Sequence, residues 1–132
     1  MVQAPLILIG YWRSPGDERW PDPANFVDAE LDTAERSVIG DYVQRGEVVW
    51  GFGGVSTCRI CGCENGSLEL SDGTYIWPDG FAHYVLHHDV RPPERFISHA
   101  LSTLDALAEA GRQAIRDESW WSSLSNRTTP HE

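Results

Sequence analysis

Apolar and polar positions follow several rhythms along this chain, and each rhythm predicts an element. Leu6-Ile7-Leu8-Ile9 leads into Tyr11 with no charged break, which predicts a buried strand over 6–11. Residues 13–30 scatter Pro15, Gly16, Pro21 and Pro23 among charges, predicting a long irregular loop pinned to the surface by Trp20 and Phe26. Asp32-Thr33-Ala34-Glu35 has the spacing of a helix capping box, with Asp32 in the place of Ser or Thr. Behind it Leu31, Ala34, Val38 and Tyr42 recur at helical spacing, and Gly46 stands where a left-handed terminating residue belongs. A helix over about 33–45 follows.

Glu47 to Trp50 predicts a short strand. The glycine-rich Gly51-Phe52-Gly53-Gly54 lacks the Gly-Lys-Ser/Thr ending of a phosphate loop, so it implies no nucleotide role. Ser67-Leu68-Glu69-Leu70 and Thr74-Tyr75-Ile76-Trp77 alternate with period two around Ser71-Asp72-Gly73, which predicts a hairpin. Pro78-Asp79-Gly80 ends it, and Asp79 can cap a short helix over about 80–88. Pro92 and Pro93 stop that helix and introduce another. There Ile97, Ala100, Leu101, Leu104, Leu107, Ala108 and Ile115 form one apolar stripe, suited to core or to a dimer seam. The fold class expected is α+β: a small mixed domain with a knuckle, a β-hairpin and a short helix, plus two longer helices. Residues 1–121 read as a single domain and 122–132 as a flexible polar tail.

Length and composition fit this picture. A chain of 132 residues buries roughly two-thirds of its unfolded surface and can build its own core. Tryptophan is abundant. Trp50 and Trp77 fall on predicted strands and are assigned to the core, whereas Trp12, Trp20, Trp120 and Trp121 fall in loops or near the end, where they suit interface anchors. Twenty acidic residues against ten basic ones give a formal charge of −10. That field repels phosphate backbones and anionic membranes and speeds encounter with a basic protein partner, although charge of this size also serves solubility alone.

The first ten residues have no cationic start, and their apolar run is shorter than a signal-peptide core. Nothing approaches the roughly 20 apolar residues that span a bilayer. A cytoplasmic location is therefore expected, where thiols stay reduced. Cys58, Cys61 and Cys63 then read as metal ligands before they read as a disulfide framework.

Cys58-Arg59-Ile60-Cys61-Gly62 is a Cys-x2-Cys pair followed by glycine, which lets two thiolates grip one ion from a tight turn. His83, His87 and His88 lie on the short helix after the hairpin and offer further donors. His83 and His87 are four apart, on one helical face; His88 comes round only if the last turn loosens, which the nearby prolines permit. Cys63 is an alternative third thiolate. Two sulfurs and two imidazoles suit Zn2+, held structurally, better than a hard cation. Cysteines can also be small buried hydrophobes and histidines plain surface residues.

Cysteine turn, hairpin, then ligand-bearing helix, over about 55–90, resembles the treble-clef zinc group. Residues 58–93 also resemble a family of short uncharacterised bacterial proteins. The matching pieces are Cys58-Arg59-Ile60-Cys61-Gly62, Asn65-Gly66-Ser67-Leu68-Glu69-Leu70, Trp77-Pro78 and His83-Tyr84. Pro92 stands where that family has leucine. The resemblance implies the set Cys58, Cys61, His83 and His88, and implies no activity.

Catalytic patterns are missing. The chain has no His-x-Glu before its cysteines, no His-Glu-x-x-His and no Gly-x-Ser-x-Gly. A zinc hydrolase with an open fourth coordination position, and Glu69, Asp72 or Asp79 as base, is the alternative. The expected function is a non-enzymatic, zinc-stabilised acidic module that binds another protein with a basic face.

Overall fold

The computed structural model describes residues 4–126. Four strands form one mixed sheet in the order β1-β4-β3-β2. Strand β1 spans Ile7–Leu8, β2 Glu47–Gly51, β3 Leu68–Ser71 and β4 Tyr75–Pro78. The pairs β2–β3 and β3–β4 are antiparallel, while β1 lies parallel to β4 with Leu8 opposite Ile76. Helix α1 covers Thr33–Gln44, α2 Phe81–His88, α3 Glu94–Gln113 and α4 Ser119–Ser123. The α+β class expected from the pattern is the class observed.

The Asp32 carboxylate accepts the Glu35 N–H at 3.0 Å, so the start of α1 is set as the capping box predicts. Its buried face differs from the predicted stripe. Ile39, Gly40, Tyr42 and Val43 face inward, whereas Ala34 and Val38 are exposed. Gly40 explains the rotation: α1 packs on α2 so closely that a Cβ there would lie 2.3 Å from Leu86 Cδ2. Gly46 is not in the left-handed region either. Its lack of a side chain is needed because a Cβ would meet Trp77 Cζ2 at 2.8 Å.

Trp77 is wholly buried and donates its indole N–H to the Val43 carbonyl at 3.0 Å. Phe96 of α3 sits among Tyr42, Tyr75, Trp77 and Phe81, with ring centroids 5.1 to 6.1 Å apart. Edge-to-face aromatic packing of this kind adds to the burial of area. Trp50, expected in the core, is instead 64% exposed. The whole of β2 is exposed, Val48 opposite buried Leu70 included, because this end strand of the sheet has neither face covered; a bulge between Val48 and Trp50 also sets Trp50 opposite Glu69.

The strand predicted over 6–11 shortens to two residues and is not fully buried, because β1 is an edge with Leu8 half exposed. Gly10, at φ 78°, turns the chain away just past it. Helix α2 starts where expected, but Asp79 does not cap it; Gly80 occupies that position and no side chain bonds the first turn.

By compactness the chain divides into one unit ending at Ala100 and another beginning at Leu101. Of the α3 stripe, Ile97 and Ala100 are buried. Leu101 and Leu107 are exposed, and Ile115, beyond the helix end, is 98% exposed, so those positions are not core. Trp120 and Trp121 on α4 are both exposed, with rings 5.9 Å apart. Of the tail expected over 122–132, residues 127–132 lie outside the described ones. Among the described residues no helix is long and apolar enough to cross a membrane.

Candidate metal centre

The chain leaves β2 at Gly51 and returns as β3 at Leu68. Between them a narrow ladder closes: Phe52 N–H bonds the Ser67 carbonyl at 2.7 Å, Ser56 N–H that of Gly66 at 2.9 Å, and Asn65 N–H that of Ser56 at 2.8 Å. At its tip, Cys58 N–H reaches the Cys63 carbonyl and Gly62 N–H returns to the Cys58 carbonyl, both at 2.9 Å. Gly62 takes φ 79°, the left-handed step that the Cys-x2-Cys-Gly pattern needs. The N–H groups of Ile60 and Cys61 then face Cys58 Sγ at 3.4 and 3.5 Å. These contacts fix the orientation of the Cys58 side chain at the tip of the knuckle.

Cys58 is buried against Tyr84 and Val90, with Trp12 and Phe26 packed behind them. The Tyr84 hydroxyl accepts the Arg59 N–H at 2.7 Å, fastening the knuckle to α2. Burial pushes the Tyr84 phenol up to about 12, and nearby Cys58 adds to this against the pull of Arg59.

Helix α2 supplies the imidazoles. One donor atom from each of Cys58, Cys61, His83 and His88 lies within 4.8 Å of all the others. His83 Nε2 is 3.2 Å from His88 Nε2 and 3.4 Å from Cys61 Sγ. A tetrahedron with metal–ligand lengths of about 2.0–2.3 Å has edges of roughly 3.3–3.8 Å, so these spacings suit one small ion.

His88 joins because the helix end is widened. The N–H groups of Asp89 and Val90 both turn back to the Tyr84 carbonyl, and Asp89 adopts φ 55°. Arg36 of α1 holds the Asp89 carboxylate, and the Asp28 N–H bonds its carbonyl at 2.9 Å. His87 points elsewhere in the cluster's terms: it is exposed and is not one of the four convergent residues. Cys63 stands close by, its Sγ 3.2 Å from Cys61 Sγ and 3.4 Å from His83 Nε2. Bonds from the Cys63 backbone and thiol, then from His83 and His88, lower the Cys61 thiol to about 5, and the adjoining Cys61 raises Cys63 in turn.

The three acids considered as bases are engaged in the hairpin. Glu69 accepts the Tyr11 hydroxyl, and burial followed by this carboxylate pushes the Tyr11 phenol up. Asp72 accepts from Tyr42 at 2.6 Å and from the N–H groups of Thr74 and Tyr75, with His99 Nε2 at 3.0 Å. Asp79 is pressed on Gly66, where a Cβ would fall 2.0 Å from its Oδ1. None of them belongs to the four-residue cluster.

Sequence reasoning missed the supporting residues Tyr84, Arg36 and Asp89. A usable signal existed for Asp89, since aspartate tolerates the left-handed region and directly follows the histidine pair. No family model matches the chain, and no curated protein or solved structure is detectably similar to it. What can be said from the residues themselves is that a Cys2His2 cluster here can hold a metal ion.

Proposed function

We propose that this chain is a zinc-stapled module that binds another protein, the ion serving the fold rather than a reaction. Two thiolates with two imidazoles form the donor set of structural zinc, and four protein ligands fill its coordination. The ion joins a knuckle to a helix that the sheet alone would leave loosely connected.

The observation that carries the binding role is a set of large apolar side chains left exposed on β2 and along the knuckle segment. Val48 and Trp50 are 63% and 64% exposed, and Phe52, Val55 and Ile60 are exposed as well. Exposed apolar side chains, tryptophan above all, serve as contact anchors. A formal charge of −10 favours a partner with a basic face.

Elemental analysis of the purified chain tests the first half, with one zinc per chain expected. Affinity capture with wild-type and Trp50→Ser baits tests the second. A specific partner should be retained by the wild type, lost with Trp50→Ser at unchanged zinc content, and weakened by salt. Equal capture by both baits would remove these side chains from the proposal, and salt-independent retention would remove the basic partner.

A further inference from the structure

A cavity of about 250 Å3 lies beside β1 and shares no residue with the four metal ligands. Ile7, Trp20, Phe26, Tyr75 and Phe96 give it apolar walls, and Arg95 stands among them. Its size is below the 300–1,000 Å3 or so of ordinary small-molecule sites, but an apolar cavity of about 150 Å3 already admits benzene. One large apolar side chain fits this space better than a cofactor does.

Two further observations narrow the occupant. Arg19, Arg36, Arg45, Arg91 and Arg112 each have a carboxylate within ion-pair distance. Arg95, exposed, has none among the described residues, as is also the case for Arg13, Arg59 and Arg116, but of these four it alone lines this cavity; its guanidinium lies 5.9 Å from the centre of the Tyr75 ring. An arginine with no carboxylate of its own at the side of an apolar cavity is complementary to an anion carried on an apolar group. The second observation concerns the strand. Ile7 N–H bonds the Thr74 carbonyl at 2.9 Å and Ile9 N–H the Ile76 carbonyl at 3.0 Å. Alternation along β1 therefore turns the Leu8 N–H and carbonyl away from β4, toward the side of the sheet where no described strand pairs.

A strand edge, an apolar cavity and a cation together match an extended peptide that ends in a free carboxylate. We propose that β1, the cavity and Arg95 receive the C-terminus of a partner protein whose last residue is large and apolar. Main-chain bonds form at Leu8, the last side chain enters the cavity, and the α-carboxylate meets Arg95. This deepens the protein-binding reading and rests on it, while using a surface distinct from that of Trp50.

The test is an NMR titration of the full-length, zinc-loaded chain with three probes. These are acetyl-Ser-Thr-Val-Leu with a free carboxylate, the same peptide amidated, and 4-methylpentanoate, which carries the leucine side chain and a carboxylate without a main chain. The acid peptide should shift the Leu8 amide and the Arg95 side chain and bind at least about tenfold tighter than the amide, since a charge-assisted bond is lost in the latter. Arg95→Met should bring the acid peptide down to the level of the amide at unchanged zinc content. Equal binding of acid and amide, or no binding of the acid peptide at millimolar concentration, overturns the proposal. Equal affinity for 4-methylpentanoate also overturns it, by making this a site for free apolar acids. A captured partner that is lost with Trp50→Ser but indifferent to Arg95→Met would defeat this inference and leave the protein-binding reading standing.

Discussion

Around Trp77, five aromatic rings interlock in a volume from which water is excluded, and the indole N–H is satisfied by a backbone carbonyl. Between Gly51 and Glu64, by contrast, Cys58 is the one buried residue. The first region is held by area removed from water. The second has little area to remove, and its backbone ladder alone gives a weak hold because exposed hydrogen bonds exchange readily with solvent. A metal ion in the Cys2His2 cluster can supply there what burial supplies elsewhere: structural zinc, the ion proposed, contributes on the order of 10 kcal/mol of apparent binding free energy at neutral pH. The comparison teaches that the two halves of one small fold can depend on unrelated forces, and so can be broken separately.

Metal removal should have the largest effect. Cys61 is exposed, so Cys61→Ser deletes a donor without deleting core. Elemental analysis should find zinc reduced from one per chain to near none, and hydrogen exchange should lose protection at Ser56, Cys58 and Asn65 while the Val43 and Trp77 amides stay protected. Uniform loss of protection would show that the two regions are a single cooperative unit. Next comes the core itself. Trp77→Ala should cost about 3–5 kcal/mol in denaturant unfolding, the range for deleting a large buried aromatic. The folded fraction should still bind one zinc.

A smaller effect is expected at the joint between the regions. Asp89 sits in the left-handed backbone region, where a β-branched residue is strained by roughly 1–3 kcal/mol. Asp89→Val should therefore weaken zinc affinity, read by competition with a chromogenic chelator, through displacement of His88, and Asp89→Gly should weaken it less. His87→Ala should leave affinity unchanged; a loss equal to that of His88→Ala would mean that the helix end binds the ion differently.

The smallest effect concerns Asp72. Burial raises its carboxyl, but bonds from Tyr42, Tyr75 and Thr74 together with His99 outweigh that and set it below the usual value. A depressed carboxyl contributes stability that is complete above its unfolded value, near 3.8, and is lost as pH falls through the lower folded value. Asp72→Asn should remove that segment of the acid titration, measured as the difference in unfolding midpoint between variant and wild type.

Local rules explain what could be read from the sequence. The Asp32 cap, the hairpin around Asp72-Gly73 and the proximity of cysteine turn to histidine helix each depend on residues close in the chain. Trp50 misled because an apolar strand pattern does not say whether anything covers the strand, and β2, at the end of the sheet, is exposed along its whole length. Gly46 and the face of α1 misled for a different reason: both are decided by approach distances to Trp77 and Leu86, which lie far away in sequence. The choice of His88 depends on Asp28 and Arg36, again distant, and no spacing rule within the helix contains them.

Because the knuckle departs from Gly51 and re-enters at Leu68, directly across one antiparallel pair, the sheet sees it as a single point of attachment. Lengthening such an excursion costs little, only about 0.6 kcal/mol for each doubling of a flexible loop. The segment is thus a cassette: evolution or an engineer can exchange its outward residues while the four strands beneath keep their pairing.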